Sequence, residues 1–186
     1  MHTVHGPGLC DVRDIFPEGL RVLDLLEITG STATTAQWVN CDQSSVSRSY
    51  RRVNRELTLG FCKDDGRYRA QHNLPLLRCL REAAQIHRLN QGSQRLQWIT
   101  HVELPLQQLQ ASQLAPLPPC WSSEAHTLML LQQRVLDLAV IGSEPTSGLR
   151  VLVLPELNEQ PPIQSLLRQI SAAARLEPQL QLLTLC

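Results

Sequence analysis

The organisation of the chain is clearest in GSTATTAQWVNCDQSSVSRSYRRVNREL, the stretch from Gly30 to Leu57. Glycine is a good helix stop and serine a good N-cap, so a short helix is predicted from Ser31 to Val39. Asn40-Cys41 then makes a short turn. A further helix is predicted from about Ser44 to Leu57. The stretch therefore predicts two helices joined by a tight turn.

The second of these helices has two different faces. Its apolar residues are spaced four, three and four apart, which is the pattern of one buried side of a helix: Val46, Tyr50, Val53 and Leu57. The opposite side is small and cationic: Ser44, Ser47, Arg48, Arg51, Arg52 and Arg55. A solvated basic face has the same composition, so the helix alone leaves that reading open.

Such a helix suits the major groove of DNA. Small residues at its N-terminal end allow a close approach, and arginine can bind guanine O6 and N7 with two hydrogen bonds. A short helix, a turn and a basic helix are typical of a helix-turn-helix, whose second helix reads the bases. The following LGFCKDDGRYRAQ predicts a tight hairpin at Asp65-Gly66. Its cations, Lys63, Arg67 and Arg69, are suited to contact phosphates as a wing.

Composition agrees with a basic module inside a globular chain. The 186 residues are 42% hydrophobic and 18% charged, and the formal net charge is zero. From Ser31 to Asn90, however, ten Arg or Lys residues face five Asp or Glu residues, so this segment is at +5 and the remainder at −5. A polyanionic partner is therefore predicted for that segment rather than for the whole chain.

A helix opening at Pro75 is predicted to carry an apolar stripe. We expect this stripe to be a dimer seam, although it could instead pack on its own domain. Its residues are Leu76, Leu77, Leu80, Ala83, Ala84 and His87.

The second half of the sequence alternates predicted strands and helices, which favours a small α/β lobe. Residues 104–119, rich in Pro, Gln and Leu, give no clear assignment. The strands are predicted at Leu96–Val102, Leu136–Gly142 and Leu149–Pro155, and the helices from Ser122 or Ser123 to Gln133 and from Pro161 or Pro162 to Leu176.

Chemistry-bearing residues do not form a recognisable catalytic or metal site. The six cysteines include no C-x-x-C pair, and the six histidines are scattered along the chain. Asp137 in LDLAVIG is interpreted as structural. We expect no enzyme activity and no cofactor or metal. Because no signal peptide or membrane span is visible, we also expect a cytoplasmic protein with reduced thiols.

The stretch from Gly30 to Leu57 resembles the DNA-binding domain of LysR-type transcriptional regulators. Gly30-Ser31 matches the opening of the family's second helix, and Gln43 matches the Gln before its recognition helix. The recognition helix is matched by Val46-Ser47-Arg48 and Arg51-Arg52, and its end by Glu56-Leu57. Leu131–Gly142 also resembles a helix-to-strand stretch of the family's effector domain.

The resemblance implies an α+β protein in which a long linker helix pairs two subunits. The domains expected on this basis are an irregular tail at 1–16, a winged helix-turn-helix at 17–74, a linker helix for dimerisation at 75–92, and an α/β effector-like lobe at 93–186. The last part is short for the family's two effector lobes, so we expect no inducer cleft between lobes. The sequence departs from the family at Thr58, where Gly is usual, and at Asp64, where Arg is usual.

A division of labour among the DNA-binding residues follows from the resemblance and the helix pattern. The residues expected closest to base edges are Gln43, Ser44, Ser45, Ser47 and Arg48. Those expected to contact phosphates are Arg51, Arg52, Arg55, Arg67 and Arg69. Ser31 and Thr32 are expected to add contacts to the DNA backbone. The expected partners are double-stranded DNA and a second copy of the chain. The alternative is a protein-interaction module that dimerises with other regulators and modulates them without binding DNA.

Overall fold

The protein is an α+β chain that divides into two compact units, one ending at Leu74 and one beginning at Pro75. The structure, a computed structural model, describes residues 19–102, 123–142 and 149–174, together with 182–185. For Ala174 and residues 182–185 the description is of the backbone alone. The tail expected at 1–16 and the unassigned segment 104–119 lie outside the described residues.

Within residues 19–74, the part of the first unit that the structure describes, three helices are followed by a two-stranded hairpin. Helix α1 spans Leu20–Thr29, α2 spans Thr32–Val39 and α3 spans Gln43–Leu57. Strands β1, Cys62–Asp64, and β2, Arg67–Arg69, pair antiparallel. The two helices, the turn and the hairpin predicted from the sequence are therefore confirmed.

Local chemistry fixes the junction between α1 and α2. Gly30 has a φ of +63°, and a Cβ at this position would lie 2.9 Å from the Gly66 carbonyl oxygen, so glycine is required on both counts. Ser31 caps α2 by accepting a hydrogen bond from the Thr34 N–H at 3.2 Å. The hydroxyls of Thr29 and Thr35 meet at 2.9 Å in the interior and link the two helices.

The described part of the second unit combines helices with a four-stranded mixed sheet. The strands run in the order β3-β4-β5-β6, with β3 parallel to β4, β4 antiparallel to β5, and β5 parallel to β6. The helices are α4, Leu74–Asn90; α5, Glu124–Gln132; and α6, Pro161–Ala174. The strands are β3, Trp98–Thr100; β4, Leu138–Gly142; β5, Leu149–Leu152; and β6, Leu182–Leu185.

The core of this unit lies between the sheet and α6. Trp98, Leu138 and Val151 contribute from the strands, while Ile163 and Leu166 contribute from α6. Short 3-10 turns at Ser93–Arg95 and Pro155–Leu157 connect the elements. The predicted α/β character is confirmed, but strand β6 was not predicted, and the sheet is mixed.

Helix α4 is joined to the sheet by a buried polar network. Arg88 donates to both carboxylate oxygens of Asp137, at 2.8 and 2.9 Å, and the Gln85 amide donates to the same carboxylate at 2.9 Å. The backbone N–H of Gln97, just before β3, also donates to the Asp137 carboxylate, at 2.7 Å. Asp137 is fully buried and satisfied, which is how buried charges are tolerated. Its contacts are those of a structural residue.

Candidate nucleic-acid interface

Helix α3 is anchored on one side and open on the other. Val46 and Val53 are 1% and 0% exposed and form the anchor. Tyr50 is half-buried and joins Phe61 and Tyr68 in an aromatic cluster with ring centroids 5.7 to 6.2 Å apart. These separations are those of favourable aromatic pairs, so the hairpin is packed directly against α3.

Asn54 ties α3 to the start of the hairpin. Its amide oxygen accepts a hydrogen bond from the Phe61 N–H at 2.6 Å, and its amide nitrogen donates to the Phe61 carbonyl at 3.3 Å. Asn73 donates to the carbonyls of Leu57 and Thr58, at 2.8 and 3.3 Å, at the C-terminal end of the helix. The direction of α3 relative to the hairpin is thus set by side-chain hydrogen bonds as well as by packing.

The N-terminal end of α3 brings several of the predicted base-contacting residues together. Gln43 and Ser44 are exposed, whereas Ser45 and Ser47 are half-buried. The Gln43 amide donates to the Thr32 hydroxyl at 2.7 Å, which links the beginnings of α3 and α2. Ser31, the N-cap of α2, is half-buried beside Thr32.

The arginines of α3 differ in their freedom. Arg48 is exposed and donates to the Ser45 hydroxyl at 3.0 Å. Arg51 is exposed, with its guanidinium 5.9 Å from the centre of the Tyr50 ring. Arg52 is half-buried, and its Nε is enclosed without a hydrogen-bond partner among the described residues. Arg55 is exposed. Arg48, Arg51 and Arg55 are therefore the more accessible cations of this helix.

The hairpin turns at the predicted dipeptide. Asp65 and Gly66 have φ angles of +48° and +76°, and both central residues of a type I′ turn need positive φ. The adjacent residues Asp64 and Arg67 lie directly opposite each other. Two acids, Asp64 and Asp65, and two arginines, Arg67 and Arg69, therefore lie within three residues of Gly66 in this turn.

The two predicted arginines of the hairpin have different environments. Arg69 forms an ion pair with Asp64, and this hydrogen bond raises the pKa of the Arg69 guanidinium. Arg67 is exposed, and no side-chain hydrogen bond or ion pair joins it to the rest of the described chain. The Lys63 ammonium lies 5.7 Å from the centre of the Tyr68 ring. Burial raises the pKa of the Tyr68 hydroxyl, with Tyr50 adding to the effect, so this phenol stays neutral at physiological pH.

The residues expected to pair two subunits lie on α4. Leu76 is 42% exposed, Ala83 and His87 are exposed, and Leu80 and Ala84 are half-buried. Leu77 is 2% exposed and lies on the buried side of the helix together with Arg81 and Gln85. Leu77 is seven residues before Ala84 on the same side of the helix, so it forms the buried edge of the stripe, next to the half-buried Leu80 and Ala84. Ile86, 54% exposed, extends that stripe although it was not predicted.

Sequence reasoning missed the positioning residues of the site. The role of Asn54 was not predicted, because a single Asn within a helix has many possible hydrogen-bond partners. The aromatic cluster could have been inferred, since Tyr50, Phe61 and Tyr68 are three of the few aromatic residues in the chain.

Among the described residues no group of three or more His, Cys, Asp or Glu side chains could hold a metal. No described helix is long and apolar enough to cross a membrane.

Comparison with known proteins gives little to set beside this geometry. No protein-family model matches the sequence, and no curated protein matches it. The crystal structure of ArgP from Mycobacterium tuberculosis is similar at a TM-score of 0.37 and 19% sequence identity, over 70% of this chain and 49% of that one. The match thus spans about half the length of that protein, and at these values it assigns neither family nor function.

Proposed function

We propose that the chain is a sequence-specific DNA-binding transcriptional regulator whose first unit is a winged helix-turn-helix. The observation that carries the proposal is the two-sided character of α3. Val46 and Val53 fix its inner side, while Arg48, Arg51 and Arg55 stand exposed along its outer side. A helix held in this way can enter the major groove without unfolding its own support.

The roles within this site follow from position and chemistry. Residues at the N-terminal end of α3, next to the linked pair Gln43 and Thr32, are assigned to base edges, with Arg48 as the main guanine ligand. Arg51, Arg55 and Arg67 are assigned to phosphates because they are exposed cations. The half-buried Arg52 is assigned a phosphate contact at the flank of the helix.

The regulator is proposed to act as a homodimer through α4. Leu76 and Ile86 expose apolar area on one side of a helix whose other side is held by the Asp137 network. Exposed apolar side chains on one helix face are suited to bury against a symmetric copy. A helix-turn-helix dimer then binds two half-sites separated by about one turn of DNA or a multiple of it.

A second candidate function is a protein-interaction module that does not bind DNA. Two observations favour it: the exposed apolar side chains of α4, and the ion pair that occupies Arg69. Such a module would form mixed dimers with a related regulator and alter its activity.

Gel-shift assays of the purified chain with duplex DNA over a salt titration separate the two functions. The DNA-binding regulator predicts a shift at moderate salt, with log affinity falling linearly with log salt. The interaction module predicts no shift at any salt concentration at which the chain is still folded and dimeric, as measured by circular dichroism and light scattering.

A further inference from the structure

The hairpin has two chemically different faces. Side chains of neighbouring strand residues alternate between faces, and residues paired across the ladder share one. Tyr68 packs against Phe61 and Tyr50, so the face that it shares with Lys63 is the inner one. The other face, with Asp64 and Arg69, is turned away from the aromatic cluster.

On that outer face an acid and a cation meet across the ladder. Asp64 pairs directly with Arg67 in the register, and Arg69 is the diagonal neighbour two residues further on. The ion pair nevertheless forms with Arg69. The side chains of Arg69 and Asp64 are 58% and 52% exposed, so a solute anion can reach the guanidinium.

A carboxylate and a phosphate bind an arginine guanidinium in the same way and therefore compete for it. Both accept two parallel N–H hydrogen bonds from arginine. An exposed pair is weak and screened by salt, so the attraction between Arg69 and Asp64 does not by itself exclude a DNA phosphate. A phosphate that approached Arg69 would, however, lie beside the Asp64 carboxylate, which repels it.

Accepting the DNA-binding function proposed above, we propose that Asp64 is an internal competitor for DNA phosphate that keeps Arg69 from adding a backbone contact. The consequence is a lower affinity for duplexes of every sequence, since a phosphate contact is made alike on all of them. Asp64 is thus a device that limits sequence-independent binding.

The test compares Asp64→Asn with Asp65→Asn, which removes the same charge from the neighbouring residue but leaves the ion pair intact. Binding to a random duplex is measured by fluorescence anisotropy over a salt titration. Asp64→Asn is expected to bind about two- to fivefold more tightly than wild type. Its salt dependence should steepen by about 0.9, the equivalent of one phosphate contact. Asp65→Asn should leave the slope unchanged.

Arg69→Ala tests whether the change in slope of Asp64→Asn comes from Arg69. In the Asp64→Asn background it should return the slope to the wild-type value, whereas in the wild-type background it should change the slope little. Identical slopes for Asp64→Asn and Asp65→Asn, in a chain that binds duplex, would overturn the role of Asp64 and leave DNA binding standing. Absence of duplex binding by every variant, each folded by circular dichroism, would overturn both.

Discussion

Arg88 of α4 donates hydrogen bonds to both carboxylate oxygens of Asp137, at 2.8 and 2.9 Å, although the two residues are 49 positions apart in the sequence. The Asp137 side chain is fully buried, and that of Arg88 is 11% exposed. Arg134, which itself has a φ of +62°, extends the network by donating to Gln85 at 2.9 Å and to Glu156 at 2.6 Å. The polar side of α4 is thereby fixed to the sheet, and its apolar side is left exposed.

Asp137→Asn is expected to destabilise the second unit strongly, because it leaves the buried Arg88 guanidinium without its counter-ion. Removing one partner of a buried ion pair costs about 3–5 kcal/mol. Urea unfolding followed by tryptophan fluorescence measures the loss, since Trp98 lies in the core of this unit. Glu124→Gln, which breaks the more exposed pair with Arg150, is the control and should cost about 0–1 kcal/mol. Equal losses for the two variants would contradict this account of α4.

Thr58→Gly is expected to stabilise the first unit. Thr58 ends α3 with a φ of +51°, a left-handed conformation in which a β-branched side chain is strained. Removing its Cβ should relieve about 1–2 kcal/mol, less the added entropy of the unfolded chain. Thr34→Gly, within α2, is the control and should destabilise by about 0.3 kcal/mol, the difference between the helix propensities of Thr and Gly. Thermal melts of both variants measure the effect, and a lower melting temperature for Thr58→Gly would be inconsistent with the strain.

Asn54→Ala is expected to loosen the hairpin from α3. The substitution leaves the N–H and carbonyl of Phe61 without their side-chain partner. Loss of such a partner costs about 1–3 kcal/mol. Hydrogen exchange should show the Phe61 amide losing protection more than amides in the middle of α1. Unchanged exchange at Phe61 would argue against a positioning role for Asn54.

His101 is expected to make the second unit sensitive to acid. Burial lowers the pKa of its imidazole, whose Nε2 lies 3.1 Å from the Thr127 hydroxyl. With the folded pKa below the unfolded one, the unfolded chain binds protons first, so stability falls as pH drops below about 6.5. His101→Gln should lose less stability than wild type between pH 7.5 and pH 5.5 in thermal melts. The same loss in both proteins would remove His101 as the cause.

The sequence predicted the parts of the first unit that local chemistry determines. Ser31 as a helix cap, Asp65-Gly66 as a tight turn, and Val46 and Val53 as the buried side of α3 all follow from short-range patterns. The Arg69 ion pair was not predictable from alternation alone, because Asp64 faces both arginines of β2 and pairs with the diagonal one.

Long-range partners set the limit of the sequence-based prediction in the second unit. The apolar stripe of α4 suggested one important face, whereas the face with Gln85 and Arg88 is held by Asp137, far along the chain. Strand β6 was missed because its leucines do not alternate with polar residues, and its pairing with β5 depends on chain topology. Neither feature has a local signature.

The most direct test of the central claim is the preference of Arg48→Ala and Arg55→Ala for an enriched over a random duplex. Wild-type protein first selects the enriched duplex from a randomised pool. Arg48→Ala should then lose about 1–3 kcal/mol of discrimination. Arg55→Ala, seven residues along the same helix, should weaken both duplexes alike and flatten the salt slope by about 0.9. Failure of the wild type to enrich any sequence, or equal losses for the two variants on both duplexes, would contradict α3 as the helix that reads DNA.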